Sequence, residues 1–236
     1  MRIFVAGGAG AVGRQLVPML VAAGHQVTGT TRSAERQEWL RRVGAEPAVV
    51  DVYDADALRI AVVDARPDVV VHQLTDLAGG FEPHDLARNR RLRELGTRHL
   101  VDATLASAAR RMVAQSGAWL YAPGRLPHLE TDPLRQAMDD PADVVSGIIE
   151  LERLVLATEG LVGLVLRYGF LYGPGTAQGA PGEGPTVEVA AAARAAALAA
   201  ERGLAGIYNV VDDGGEVSNR RARAELGWSP DASDPA

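Results

Sequence analysis

The chain has 236 residues, 47% of them hydrophobic and 23% charged, enough to bury one substantial core or two small ones. Its formal net charge of −6 leaves no basic field for a phosphate backbone and argues against nucleic acid as a partner. With no cysteine, a disulfide scaffold and a thiolate nucleophile are both excluded.

Short β-branched runs alternate with helical segments from the first residues onward, the pattern of parallel βαβ units. Residues 2–6 read as a strand, 12–23 as an amphipathic helix and 25–30 as a second strand. A helix over 35–42, a strand over 48–51 and a helix over 54–65 follow, the last opened by an acidic cap. Residues 68–74 are nearly continuous valine, as suits a strand covered on both faces. One long helix is expected over 85–106, then a strand over 111–115, a helix over 142–158 and a strand over 162–167. Beyond these lie a Gly/Pro-rich loop over 173–185, a helix over 187–202, a last strand over 206–211 and a short helix over 219–226. The longest apolar stretch, 189–200, is mostly alanine broken by Arg194, which reads as a helix of a soluble protein and not a membrane span. The opening strand leaves no room for a signal peptide, so a cytoplasmic protein is expected.

The first chemical signal is Val5-Ala6-Gly7-Gly8-Ala9-Gly10-Ala11-Val12-Gly13, set between a strand and a helix. One glycine permits the tight turn, a second lets backbone approach a pyrophosphate, and a third lets helix pack on strand. The helix start then offers free N–H groups and a positive dipole end to the phosphates. The second signal closes strand two. A site for NAD would place a carboxylate there to accept from the ribose 2′-OH, whereas this chain reads Thr30-Thr31-Arg32-Ser33, and the arginine fork suits a 2′-phosphate. NADP(H) is therefore the expected cofactor, with NAD(H) as the alternative. Asp51 stands either where it accepts from the adenine amino group or where it caps the following helix.

The loop GGAGAVG, the strand end VVVHQL before Thr75, the segment Asn89…Gly96-Thr97-Arg98-His99-Leu100, the strand VAQSGAWLYAPG and the run from Leu166 to Gly175 together resemble the extended short-chain dehydrogenase/reductases, the NAD-dependent epimerase/dehydratase group. The resemblance covers nearly the whole chain. It implies a Rossmann-type doubly wound α/β fold, a parallel sheet of seven strands with the cofactor across their carboxyl ends. A single domain over 1–236 is expected, with residues 1–168 as the dinucleotide-binding core and 169–236 as a reduced substrate-side lobe. In that mapping Gly7, Gly10 and Gly13 cradle pyrophosphate, with Ala11 and Val12 at the helix start. Arg32, Asp51 and Val52 flank the adenosine, Leu74 and Thr75 line the ribose, and Gln115, Ser116, Tyr168, Gly169 and Phe170 border the nicotinamide.

The departures carry as much weight. The family pattern pairs a proton-donating tyrosine with a lysine four residues on, and all 24 basic residues apart from histidine are arginine here. The corresponding helix start, Asp143 to Ile149, has neither tyrosine nor lysine. A lost general acid costs roughly 10²–10⁴ in rate, about 3–5 kcal/mol, whereas near-attack positioning contributes about 7–11 kcal/mol. A reductase without the pair is thus feasible. Ser116, Tyr121 and Tyr168 are the candidate proton donors, and a substrate phenol beside a ketone is a further one. Trp119, Tyr121, Tyr168, Phe170 and Tyr172 suit a flat aromatic substrate or simply fill the core. The five histidines show no metal spacing, Arg88, Arg90, Arg91 and Arg93 read as an exposed helix face, and Glu130 and Asp132 read as solvated loop charges. The chain is expected to be a monomer or homodimer that reduces the ketone of a small carbonyl substrate, resembling actinobacterial ketoreductases of polyketide antibiotic tailoring. The alternatives are a silent NADP-binding regulator or scaffold, and a sugar-nucleotide epimerase or dehydratase.

Overall fold

The structure, a computed structural model, describes residues 1–76, 80, 82–140 and 142–231. In chain order the elements are β1 (Arg2–Ala6), α1 (Ala11–Ala22), β2 (Gln26–Thr31), α2 (Ala34–Arg42), β3 (Glu46–Val49), α3 (Ala55–Ala65), β4 (Val69–His72), α4 (Pro83–Arg91), α5 (Thr97–Ala106) and β5 (Arg111–Gly117). They continue as α6 (Val144–Ala157), β6 (Val162–Tyr168), β7 (Phe170–Tyr172), β8 (Thr186–Glu188), α7 (Val189–Glu201) and β9 (Gly206–Val210). Seven strands form one parallel sheet in the order β3-β2-β1-β4-β5-β6-β9. The order reverses between β1 and β4, and that reversal opens a crevice above their carboxyl ends.

Side chains alternate across the sheet because successive residues of a strand face opposite ways. Ile3 and Val5 of β1 join α1, α2 and α7 in one core layer, and Phe4 and Ala6 join α3, α5 and α6 in the other. Alanine along α7 lets that helix pack close to α1, and Trp228 seals its start by donating from Nε1 to the Ala191 carbonyl at 2.8 Å.

Several boundaries differ from the sequence reading. The helix expected over 85–106 is α4 and α5 joined by a π turn, Leu92–Gly96. The third strand sits at Glu46–Val49, two residues early, and β4 ends at His72. Thr186–Glu188, of which Val187 and Glu188 were expected to begin a helix, pairs with Phe170–Tyr172 in a small second sheet, and Phe170 N donates to Pro185 O at 2.7 Å. The last short helix is a π turn, Ala222–Leu226. Asp54, not Asp51, caps α3 by accepting from Ala57 N at 2.9 Å, while Asp51 accepts from Tyr53 N at 3.0 Å.

Candidate active site

The crevice is a cavity of about 360 Å³ running across the ends of β2, β1, β4 and β5. Gly7, Gly10, Ala11 and Val12 line its centre. Gly7 holds φ +86°, a left-handed conformation that favours glycine. A Cβ there would meet Gln73 O at 2.8 Å, and one on Gly13 would meet Gly7 O at 2.3 Å. Gly13 therefore sits beneath the turn as the packing glycine and does not line the cavity. Gly10 caps α1 with backbone alone, so the first N–H groups of the helix are left for an anion.

Arg32, Asp51 and Val52 line one end, with Ser33 and Arg36 beside them. Arg32 reaches Asp51 at 3.9 Å with both side chains exposed, a weak pair that leaves the guanidinium available. Arg36, within the helix expected over 35–42, brings a second guanidinium to the same end. Ser33 caps α2 by accepting from Arg36 N at 3.4 Å, which fixes that helix start against the cavity.

Leu74, Thr75 and Gln115 line the other end. Gln73 joins them, 5% exposed, donating from Nε2 to the Tyr168 hydroxyl at 3.2 Å while its Oε1 meets no partner among the described residues. Tyr168 is 1% exposed, and burial pushes its hydroxyl well above the usual tyrosine range. It belongs to the core layer of α1 and α7. Gly169 and Phe170 stand outside the cavity: Gly169 presses on Thr186 backbone, where a Cβ would come within 2.6 Å, and Phe170 stacks on Trp119 at 5.6 Å between ring centres.

Ser116 and Tyr121 are drawn into a polar network behind the strand ends. Ser116 Oγ donates to Glu152 Oε1 at 2.6 Å. Arg167 donates from Nε and Nη2 to the two Glu152 oxygens at 2.8 and 2.7 Å, and from Nη1 to the Tyr121 oxygen at 2.9 Å. The Tyr121 hydroxyl in turn donates to Asn209 Oδ1 at 2.6 Å. Burial raises its pKa, and the nearby Arg167 charge opposes that only in part. Glu130 is not a free loop charge: it accepts from Asn209 N at 3.0 Å. Asp132 accepts from His128 Nδ1 at 3.1 Å, and its pKa is lowered chiefly by the Leu129 N–H. Arg93 departs most from its expected place, being 4% exposed where Arg88 and Arg91 of the same stretch are exposed.

The glycine turn, the open helix start, the paired arginines and the unpartnered Gln73 oxygen fit a dinucleotide. The profile of the NAD dependent epimerase/dehydratase family matches residues 3–214. The chain belongs to that family. Over 181 residues the chain is 49% identical to a 3-diazoavenalumate denitrifying reductase of a Streptomyces species, covering 75% of this chain and 58% of that protein. Over 176 residues it is 30% identical to the 4-hydroxy-2-methyl-3-oxo-4-farnesyl-3,4-dihydroquinoline-1-oxide ketoreductase of Stigmatella aurantiaca, covering 73% of this chain and 51% of that protein. The chain thus spans little more than half the length of these curated relatives. Among solved structures, the UDP-glucose 4-epimerase of Thermus thermophilus in complex with NAD is 25% identical with a TM-score of 0.73, over 98% of this chain and 85% of that one.

Proposed function

We propose that this protein is an NADPH-dependent reductase of small aromatic substrates that works without a lysine-activated tyrosine. One observation carries the reading: the glycine turn and open helix start lie at the strand ends, and the hydroxyls there, Ser116 and Tyr121, are already engaged by Glu152, Arg167 and Asn209. Bound reduced nicotinamide supplies a hydride. The chain's own part is to hold the cofactor through Gly7, Gly10 and the α1 start, to favour its 2′-phosphate through Arg32 and Arg36, and to seat the substrate beside Gln115 and the Trp119–Phe170 stack.

A substrate whose reduction needs no proton from the protein suits this arrangement. An arenediazonium is such a substrate: it accepts a hydride at ring carbon, the C–N bond breaks, and neutral dinitrogen leaves, with charge and atoms balanced. The Streptomyces relative, named for a diazo substrate and a denitrifying reduction, supports this choice. A ketone flanked by a phenol is the second reading, favoured by the relative named as a ketoreductase; there the developing alkoxide takes its proton from the substrate or water. Ser116, Tyr121 and Tyr168 are then positioning groups in both cases. Sugar epimerisation suits the site less, since a protein base must remove a hydroxyl proton.

Loss of NADPH absorbance, followed with an arenediazonium and with a panel of polycyclic and simple ketones, tests the proposal. Turnover on the diazonium with release of dinitrogen is expected. Tight cofactor binding with no turnover on any compound would overturn it in favour of a silent NADP-binding protein.

A further inference from the structure

Arg93 lies on the π turn between α4 and α5, 4% exposed. Its Nη1 reaches the Gln115 carbonyl at 3.4 Å, a long contact, and its buried Nε meets no acceptor among the described residues. Among those residues it forms no ion pair. Glu152 is the acidic group whose field reaches it, and both Glu152 oxygens are taken by Arg167 and Ser116. Burial brings the Arg93 guanidinium down to about 10, so it stays charged at neutral pH. His72, also buried nearby and held neutral, adds no counter-charge.

A desolvated cation without a counter-ion is costly. Arg93 stands immediately behind the cavity wall, since Leu92, its chain neighbour, and Gln115, its hydrogen-bond partner, both line the cavity. The π turn that carries it is a feature frequent at functional sites. At the same strand end, Trp119 rests over Gly117 and stacks on Phe170, which is 40% exposed and so leaves an aromatic face open.

We infer that Arg93 is the substrate-anion site, binding a phenolate or carboxylate oxygen carried by the aromatic substrate. The inference rests on the reductase reading for the word substrate and specifies its chemical class as an anionic arene. The fork of the guanidinium matches a carboxylate by two hydrogen bonds and a phenolate by one or two.

The test uses the full chain saturated with NADP⁺ and titrated with 4-nitrophenolate, followed by its visible absorbance, with neutral 4-nitroanisole as the ring control. Arg93→Gln is expected to weaken nitrophenolate binding about ten- to hundredfold, the worth of a hydrogen bond to a charged group. Nitroanisole and NADPH affinities should stay within about twofold of the parent, and Arg93→Lys should restore part of the loss. Equal nitrophenolate binding by parent and Arg93→Gln, or no nitrophenolate binding by the parent, overturns the inference. So does a loss of NADPH affinity with nitrophenolate binding intact, which would assign the cation to the cofactor ribose. Should Arg93→Gln fail to fold, Arg93→Lys carries the comparison: unchanged nitrophenolate affinity overturns the inference and a severalfold loss supports it. Failure of the parent to bind NADPH at all would instead bring down the reductase reading itself.

Discussion

Arg167 grips Glu152 through two hydrogen bonds, Nε to Oε1 at 2.8 Å and Nη2 to Oε2 at 2.7 Å, with both side chains buried between β6 and α6. The planar fork meets the carboxylate side-on, and desolvation of Arg167 is more than offset, so its pKa rises further above the ordinary arginine value. Removing one partner strands the other as an unpaired buried charge. Glu152→Leu or Arg167→Leu alone should destabilise the fold by about 3–5 kcal/mol. The double replacement should lose less than the two single losses combined, because neither charge is then left behind. Urea denaturation of the parent and the three variants measures this, and strict additivity would refute the coupling.

Arg32 and Arg36 line the cavity end proposed to take a 2′-phosphate. Arg32→Ala should weaken NADPH binding about tenfold or more, since a hydrogen bond to a charged group contributes about 1.5–3 kcal/mol, while NADH binding changes less than about twofold. Calorimetric titration with each cofactor decides. An equal loss for both would show that Arg32 acts on the adenosine and not on the phosphate.

Gly13 has no space for a methyl group, because its Cβ would fall 2.3 Å from Gly7 O and 2.6 Å from Gly8 backbone. Gly13→Ala must push α1 away from the turn. Overpacking of this kind costs typically 1–3 kcal/mol, and the shift also misplaces the helix start. The variant should bind neither nicotinamide cofactor measurably while keeping its far-ultraviolet circular dichroism. Parent-like cofactor affinity would contradict the cradle geometry.

His72 is buried, its Nε2 2.9 Å from Thr97 Oγ1 and its Nδ1 accepting from Leu74 N at 3.2 Å. Desolvation, with help from the Arg93 charge, lowers its pKa from 6.5 to about 3. The unfolded chain therefore binds a proton below pH 6.5 that the folded chain refuses. Stability is fully retained above about pH 6.5 and falls as pH drops toward 3, by up to about 1.4 kcal/mol per unit from this group alone. In His72→Asn that part of the pH slope should vanish. Denaturation midpoints at pH 7 and pH 5 for parent and variant measure it, and identical slopes would refute the assignment.

The glycine turn was legible because it is local: Gly7, Gly10 and Gly13 lie within seven consecutive residues between β1 and the first turn of α1. The βαβ order was equally legible from hydrophobic runs such as Val69–Val71. Arg93 was misplaced because it was grouped with its arginine neighbours, although a residue two positions beyond Arg91 lies about 200° round the helix and so on the face opposite Arg88 and Arg91. Glu152 and Arg167 were hidden for a different reason. Each is an unremarkable charge on its own element, and only the pairing of β6 beside β5 brings strand and helix together. Tyr121 likewise read as an available hydroxyl because nothing nearby in sequence announces Asn209, far along the chain on β9. Gln73 lies between His72 and Leu74 just past the valine run, where a carboxamide carries no periodic signal of its own.

The indole lying over Gly117 gives the molecule a built-in optical gauge. Of the tryptophans, Trp39 packs under the Arg14 guanidinium and Trp228 is sealed in the core, so neither senses the mouth of the cleft. Trp119 stacks on Phe170, whose ring stays partly open to solvent. A planar guest settling on that ring pair would expel water and change the colour and brightness of the emission, so occupation of that face can be watched directly, without a label and without turnover.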